Sequence, residues 1–366
     1  MKRFIALKIL GIVWIPVVFI IWQVLKNQSE WVEIYYSQWF YPVLIKNISA
    51  ISSVFGFALH EIVVVSIVLT VIFLIAQDIQ LNENKRNRII GIVLSLISVS
   101  GWLYFLLVIM WGINHLRTPV EQMFEIQTPL TEQQEQVVLG HIVEQANELA
   151  LMMQKSPTSS LLEQCDQLHD SFEIVDKQVN QAMIQFLTHN HLTPVKSAEG
   201  RYFIFSGVIR QMGIAGLYNP LVAQPAISSK IPASLQPQTL AHEYAHLNGF
   251  ADEAAADLVG YLSLLSSSSK QLRYDAWLSL LWQTGQQNNP DLNSAIKADL
   301  NCIALNIAIH KNKSKTSLVS TVLKPAVQAT NDQYLKQAGH QEGRMRYAVG
   351  EQLTLRYLYK IIKKQP

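Results

Sequence analysis

Ala241-His242-Glu243-Tyr244-Ala245-His246-Leu247-Asn248-Gly249-Phe250-Ala251-Asp252-Glu253 is the stretch that decides how this chain is read. It contains H-E-x-x-H. On a helix, residues four apart share a face, so His242 and His246 can hold one metal ion. Zinc accepts neutral imidazole nitrogens, and a catalytic zinc site keeps one position for water. Glu243 sits between the two and can take a proton from that water, the general-base role in this motif. The flanks fit a short capped helix. Pro237 suits a first turn, where its missing donor is not needed. Leu240, Tyr244 and Leu247 fall at apolar helical spacing, and Gly249 can end the helix with positive φ.

A third ligand has to come from beyond Gly249. A second helical stretch starts at Asp252 and Glu253, and Ala254, Ala255 and Ala256 are small enough to let it approach the first closely. Glu253 is the expected ligand, with Asp257 one turn later to hold an imidazole from behind. Asp252 is the rival. It stands six residues after His246, a spacing known where a third zinc ligand follows a glycine turn.

The chain has 366 residues, 49% of them hydrophobic, and only 15% charged, well below a soluble domain. The apolar excess is concentrated in three runs at about residues 4–25, 54–76 and 89–113, each about 20 residues long and so able to span a bilayer as a helix. Lys2, Arg3 and Lys8 flank or enter the first run, and Lys85, Arg86 and Arg88 fill the loop before the third. The loop between the first two runs holds Trp31, Tyr35, Tyr36, Trp39, Phe40 and Tyr41 and reads as an interfacial aromatic belt. Positive residues stay inside, so the amino terminus is expected in the cytoplasm and everything after the third run in the periplasm or an equivalent space. HEYAH lies far from the runs in sequence, which argues against cleavage within the membrane.

Residues 114–366 are long enough for one further domain. Thr131 and Gln134 form a capping-box pattern ahead of a long helix, and another helix is expected over 172–188. Residues 202–205 read as strand or buried helix, undecided by periodicity. Residues 221–229, bounded by Pro220 and Pro232, read as a short strand before the metal helix. As an exposed edge it would pair with an extended substrate. Later breaks are expected near 266–269, 288–290 and 312–314. Cys165 and Cys302 are permitted a disulfide by the compartment, although two thiols fit the sequence as well. A net charge of +2, with no basic patch interleaved with aromatics, excludes a nucleic-acid partner.

Three blocks taken together resemble a known family: Trp111-Gly112-Ile113-Asn114-His115-Leu116-Arg117, the HEYAH block through Glu253, and Asn331-Asp332-Gln333-Tyr334-Leu335-Lys336. The chain is similar to a bacterial family of membrane proteins known only as a domain of unknown function, with three N-terminal spans and an outer H-E-x-A-H domain. That resemblance covers nearly the whole chain and implies likeness to zinc metallopeptidases. It favours Glu253 as third ligand. The family pattern continues with an acidic residue and an asparagine where this chain has Ala255 and Asp257, which leaves the part played by Asp257 open.

The expected architecture is a membrane protein with a three-helix transmembrane anchor (1–113) and a mainly α, zincin-like α+β extracytoplasmic domain with a small sheet (114–366). The expected function is a zinc metallopeptidase of the inner membrane acting on extracytoplasmic peptides or proteins. Its metal would sit on His242, His246 and Glu253, with Glu243 as base and Tyr334 as oxyanion donor. The alternative is a non-catalytic envelope module, binding or sensing, that a metal stabilises. A reporter that works only outside the cytoplasm, fused after Pro366, should be active. Activity confined to a cytoplasmic reporter would reverse the orientation.

Overall fold

The computed structural model describes residues 2–126, 129–155, 171–196, 198–314, 317, 319–337, 343 and 346–364. The first long helix, α1 (Lys2–Leu25), leads through a helical turn (Ser29–Trp31) and a π-helical stretch (Val32–Phe40) into α2 (Tyr41–Ser52). Two more long helices follow, α3 (His60–Leu81) and α4 (Lys85–Met110). Ala6–Leu25, His60–Leu81 and Lys85–Met110 are long and apolar enough to cross a membrane. Their sides carry exposed Ile20, Val65, Phe73 and Val93, surface that water does not favour and lipid does.

The second of these helices begins later than its apolar run. Residues 53–59 form turns and bends, and the helix continues to Leu81, taking in Asp78. A carboxylate is tolerated there because it is paired. Lys8 Nζ lies 2.6 Å from Asp78 Oδ1, and Ser95 Oγ donates to Oδ2 at 2.5 Å, so one buried cluster ties the three helices together. Gly11 and Gly101 mark where α1 crosses α4: a Cβ on Gly101 would run into the Gly11 carbonyl. Small residues let the two backbones touch.

The aromatic segment between the first two long helices does more than line an interface. Val32, Tyr36, Tyr41 and Ile45 are buried in the same apolar cluster as the C-terminal region. Arg117 clamps this segment: Nε and Nη2 donate to the two Glu33 oxygens at 2.9 and 2.7 Å, and Nη1 donates to the Gly249 carbonyl at 3.0 Å. Both partners are largely buried, where a bidentate pair is stronger than at a surface.

Beyond a 3₁₀ turn (Gly112–Leu116), the rest of the chain is mainly helical. The helix α5 (Glu132–Met152) opens on the expected capping box, with Thr131 N donating to Gln134 Oε1 and Gln134 N to Thr131 Oγ1. It is followed by α6 (Phe172–His189), β1 (Arg201–Tyr202), α7 (Ser206–Gln211), β2 (Gly216–Asn219) and β3 (Gln224–Ile227). Then come α8 (Gln236–Leu247), α9 (Glu253–Leu265), α10 (Lys270–Gln283), α11 (Ser294–Ser314), α12 (Lys324–Gln337) and α13 (Arg346–Lys364). Breaks at 266–269 and 284–293 fall where serines, asparagines and Pro290 favour them. Cys302 is buried and not free; Cys165 and His169 lie outside the described residues.

The sheet corrects one expectation. Its order is β1-β3-β2, with β1 parallel and β2 antiparallel to β3, so the segment read as an edge strand is the buried middle one. The edges are β1 and β2. Ser228 N donates to the Ala215 carbonyl at 2.8 Å, and alternation along an antiparallel pair then leaves Tyr218 and Pro225 facing each other without cross-strand bonds. Pro225 can therefore stand in a middle strand, since β2 asks it for no donor there.

Beneath the sheet, Asp176 of α6 accepts from Tyr244 Oη at 2.7 Å and from Gly200 N at 3.0 Å. Burial raises its pKa to about 6 against these donors. An acid whose folded pKa exceeds its unfolded value near 4 loses stability as pH rises from about 4 to about 6. Asp176→Asn keeps both acceptor contacts and abolishes that titration. Its melting temperature, relative to the parent protein, should climb across this window, by an equivalent of at most ~3 kcal/mol. A constant difference from pH 4 to 7 would contradict this account.

Candidate metal centre

The helix α8 carries His242, Glu243 and His246 on the side facing α9 and the sheet. It ends at Leu247, where Gly249 adopts φ +83°, a left-handed conformation that costs glycine little, and the chain turns back. Asp252 caps the next helix, its Oδ2 accepting from Ala255 N at 3.1 Å. The two helices then pack closely because Ala254, Ala255 and Ala256 are buried and small. Gly260 completes the contact, since a Cβ there would stand 3.1 Å from the His242 backbone nitrogen.

This packing brings Glu253 onto both histidines. Glu253 Oε2 lies 3.1 Å from His242 Nε2 and 3.3 Å from His246 Nε2. One ligand atom from each of the three residues falls within 4.8 Å of the others, the one such group among the described residues. The far side of each ring is held as well. His242 Nδ1 is 2.7 Å from Asp257 Oδ1, and His246 Nδ1 is 2.7 Å from the Phe250 carbonyl. A carbonyl can only accept, so His246 carries its proton on Nδ1 and turns the Nε2 lone pair inward. Asp257 favours the same tautomer for His242.

Two imidazole nitrogens and a carboxylate oxygen thus converge on one point, an arrangement that suits a cation. Without an ion, protons on the rings take that place. Burial disfavours charge on His242, but the Asp257 and Glu253 carboxylates outweigh it and hold its pKa well above the usual imidazole value. Burial would likewise raise Glu253, yet the charge of His246 and hydrogen bonds from both rings hold its carboxyl well below the ordinary range. The donor set fits a divalent metal.

Asp252, the rival ligand, is committed elsewhere. Arg346 of α13 grips both its oxygens, Nε to Oδ1 and Nη2 to Oδ2, each at 2.7 Å. Glu243 belongs to neither group. Its carboxylate is 4% exposed and packs against β2, where a Cβ on Gly216 would approach Oε1 to 2.5 Å. It also takes a hydrogen bond from the Tyr218 backbone, the outward-turned N–H of the edge strand. Burial lifts its pKa to about 7, opposed by His242 and His246 and aided by Glu253.

Tyr334, on α12, meets two residues just beyond the end of α4, Trp111 and, in the 3₁₀ turn, His115. Trp111 Nε1 donates to its hydroxyl at 2.7 Å, and His115 Nε2 bonds to the same oxygen at 2.8 Å. Burial raises the Tyr334 pKa to about 12, the Trp111 donor lowers it and the nearby Glu253 charge adds to the rise. The Trp111 ring lies 5.2 Å from the His246 ring. Trp111 and His115 were legible in sequence only as members of a recurring block that closes the third apolar run.

The model of the DUF3810 family, proteins of unknown function, matches residues 36–353. The chain belongs to this family. The match takes in the second half of the segment before α3, the remaining apolar helices, the candidate centre and most of α13. No curated protein and no solved structure matches the chain.

His242→Ala, His246→Ala and Glu253→Ala should each abolish tight binding of a divalent metal. Asp257→Asn should weaken it about 10- to 100-fold by loosening the His242 ring, and Asp252→Ala should leave the stoichiometry unchanged. Metal titration of the purified variants decides it: a loss in Asp252→Ala matching that in Glu253→Ala would reassign the third ligand.

Proposed function

We propose that the protein is a membrane-anchored, zinc-dependent metallopeptidase of zincin-like design that hydrolyses peptide bonds of polypeptides outside the cytoplasm. The observation that carries this reading is Glu243, a carboxylate beside the His242–His246–Glu253 group that none of the three donors needs. A binding or sensing module stabilised by metal would leave Glu243 without a task. Two imidazoles and a carboxylate are a ligand set used by catalytic zinc. Zinc bound there would supply Lewis-acid polarisation of a carbonyl and would acidify a water.

The chain's own residues supply the rest. Glu243, tuned near neutrality, takes a proton from the water and passes it to the leaving amine. The edge strand β2 offers backbone groups to an extended polypeptide beside that carboxylate. Tyr334 is assigned the developing oxyanion. Its high pKa keeps the phenol protonated and able to donate, and Trp111 and His115 fix its position. Lys2, Arg3, Lys85, Arg86 and Arg88 support a cytoplasmic amino terminus, with the catalytic region beyond the inner membrane.

Glu243→Gln keeps the volume and removes the base. It should fold, bind one zinc per chain, and lose about two to four orders of magnitude in peptide cleavage. Zinc content by elemental analysis and turnover of a peptide library check it together. Undiminished turnover in the zinc-loaded variant would sink the mechanism.

A further inference from the structure

HEYAH is distant from the apolar helices in sequence, but the fold returns it to the ends of two of them. Trp111 directly follows α4, and its ring stands edge-on to that of His246. His60 is the first residue of α3, and its Nε2 bonds to the Leu217 carbonyl at 3.1 Å. Leu217 stands between Gly216 and Tyr218, the two residues that enclose the Glu243 carboxylate. The attachment is repeated around that end of α3. Leu59 N donates to Gln224 Oε1 at 2.9 Å, and Phe205 N donates to Glu61 Oε1 at 3.1 Å. The sheet and the metal centre are therefore fastened to the points where two membrane-length helices emerge.

The surface at this junction is apolar. Phe55, Phe57, Ile204, Phe205, Val208 and Leu217 are all exposed, Phe205 at 59%. They continue the exposed apolar face of α3, whose first turns show Ile62, Val64 and Val65. An apolar surface of this extent needs an occupant. Continuity with the membrane-length face of α3 identifies it as lipid, and the two charged groups at the seam are engaged by backbone, Glu61 by Phe205 N and Arg201 by the Phe55 carbonyl.

We propose that these six residues are seated in the bilayer leaflet next to the C-terminal region, which holds the metal centre at the membrane surface. Resting on the peptidase reading, its substrates are polypeptides anchored in the same membrane, cut close to where they leave it. A substrate tethered in the same plane meets the site at high effective concentration, whereas a freely diffusing peptide does not.

The test uses the full chain in phosphatidylethanolamine–phosphatidylglycerol vesicles with brominated acyl chains. An environment-sensitive dye is placed on Phe205→Cys or Leu217→Cys and, for reference, on Val137→Cys or Leu151→Cys, exposed positions of α5. Several-fold stronger quenching at 205 and 217 than at 137 and 151 is expected; equal quenching overturns the seat. In the same vesicles, one fluorogenic peptide is supplied either on a lipid anchor or free. The anchored form should be cut at least about a hundredfold faster, and equal rates overturn the substrate class. If the zinc-loaded protein cuts neither form while 205 and 217 are quenched, the seat stands and the peptidase reading falls, taking the substrate class with it.

Discussion

Two imidazoles rest their Nδ1 sides on acceptors and turn their Nε2 atoms to one carboxylate, and the organisation around residue 250 sustains that convergence. Acceptors do not gather unless something positive joins them, and burial makes the demand sharper by removing water as a substitute. The surrounding sequence reads as a series of answers. Gly249 reverses the chain, three alanines and Gly260 permit the helices to touch, Phe250 and Asp257 hold the rings, and Arg346 draws Asp252 out of competition. Each is a short-range device, and none would matter without the others.

That locality explains what the sequence discloses. The two histidines, Glu253 and Asp257 lie within sixteen consecutive positions, and helical periodicity alone puts them on facing surfaces. The capping box at Thr131 and the length of the apolar runs are legible for the same reason. Long-range pairing is not. Residues 221–229 have strand composition, but composition says nothing of which strand takes the middle of a sheet. The edge strand beside the site, Gly216–Asn219, is short and carries a glycine where the Glu243 carboxylate leaves no room for a side chain. Nor could the aromatic segment 31–41 be sorted, since Tyr and Trp serve a membrane interface and a protein core equally well. Trp31, Tyr35, Trp39 and Phe40 stay exposed, as a belt would, while Tyr36 and Tyr41 are buried beside Glu33, which Arg117 ties to Gly249, far along the chain.

Trp111 shows how a boundary residue can join two solvents. Its backbone breaks the helix, with φ −150° and ψ −56°, and its indole turns toward His246, Tyr218 and Tyr334. Any tilt of α4 must then be felt at the ring that flanks a candidate ligand. Tyr36 strengthens the link, since its hydroxyl donates to the Ile109 carbonyl in the last turn of the same helix. The site and the membrane-length helices form one mechanical unit.

The contacts of the last two helices bear on the order in which the molecule comes into being. Arg346 holds Asp252, Gly350 lies against Asp257 and Tyr334 meets Trp111 and His115, so the closing pieces come from residues 334–350, well after the histidine helix. Synthesis runs from the amino terminus, and the histidine helix leaves the ribosome well before these partners. A nascent chain thus carries this motif unfinished until residues 334–350 have been made, and chains interrupted before residue 346 lack the clasp that closes it.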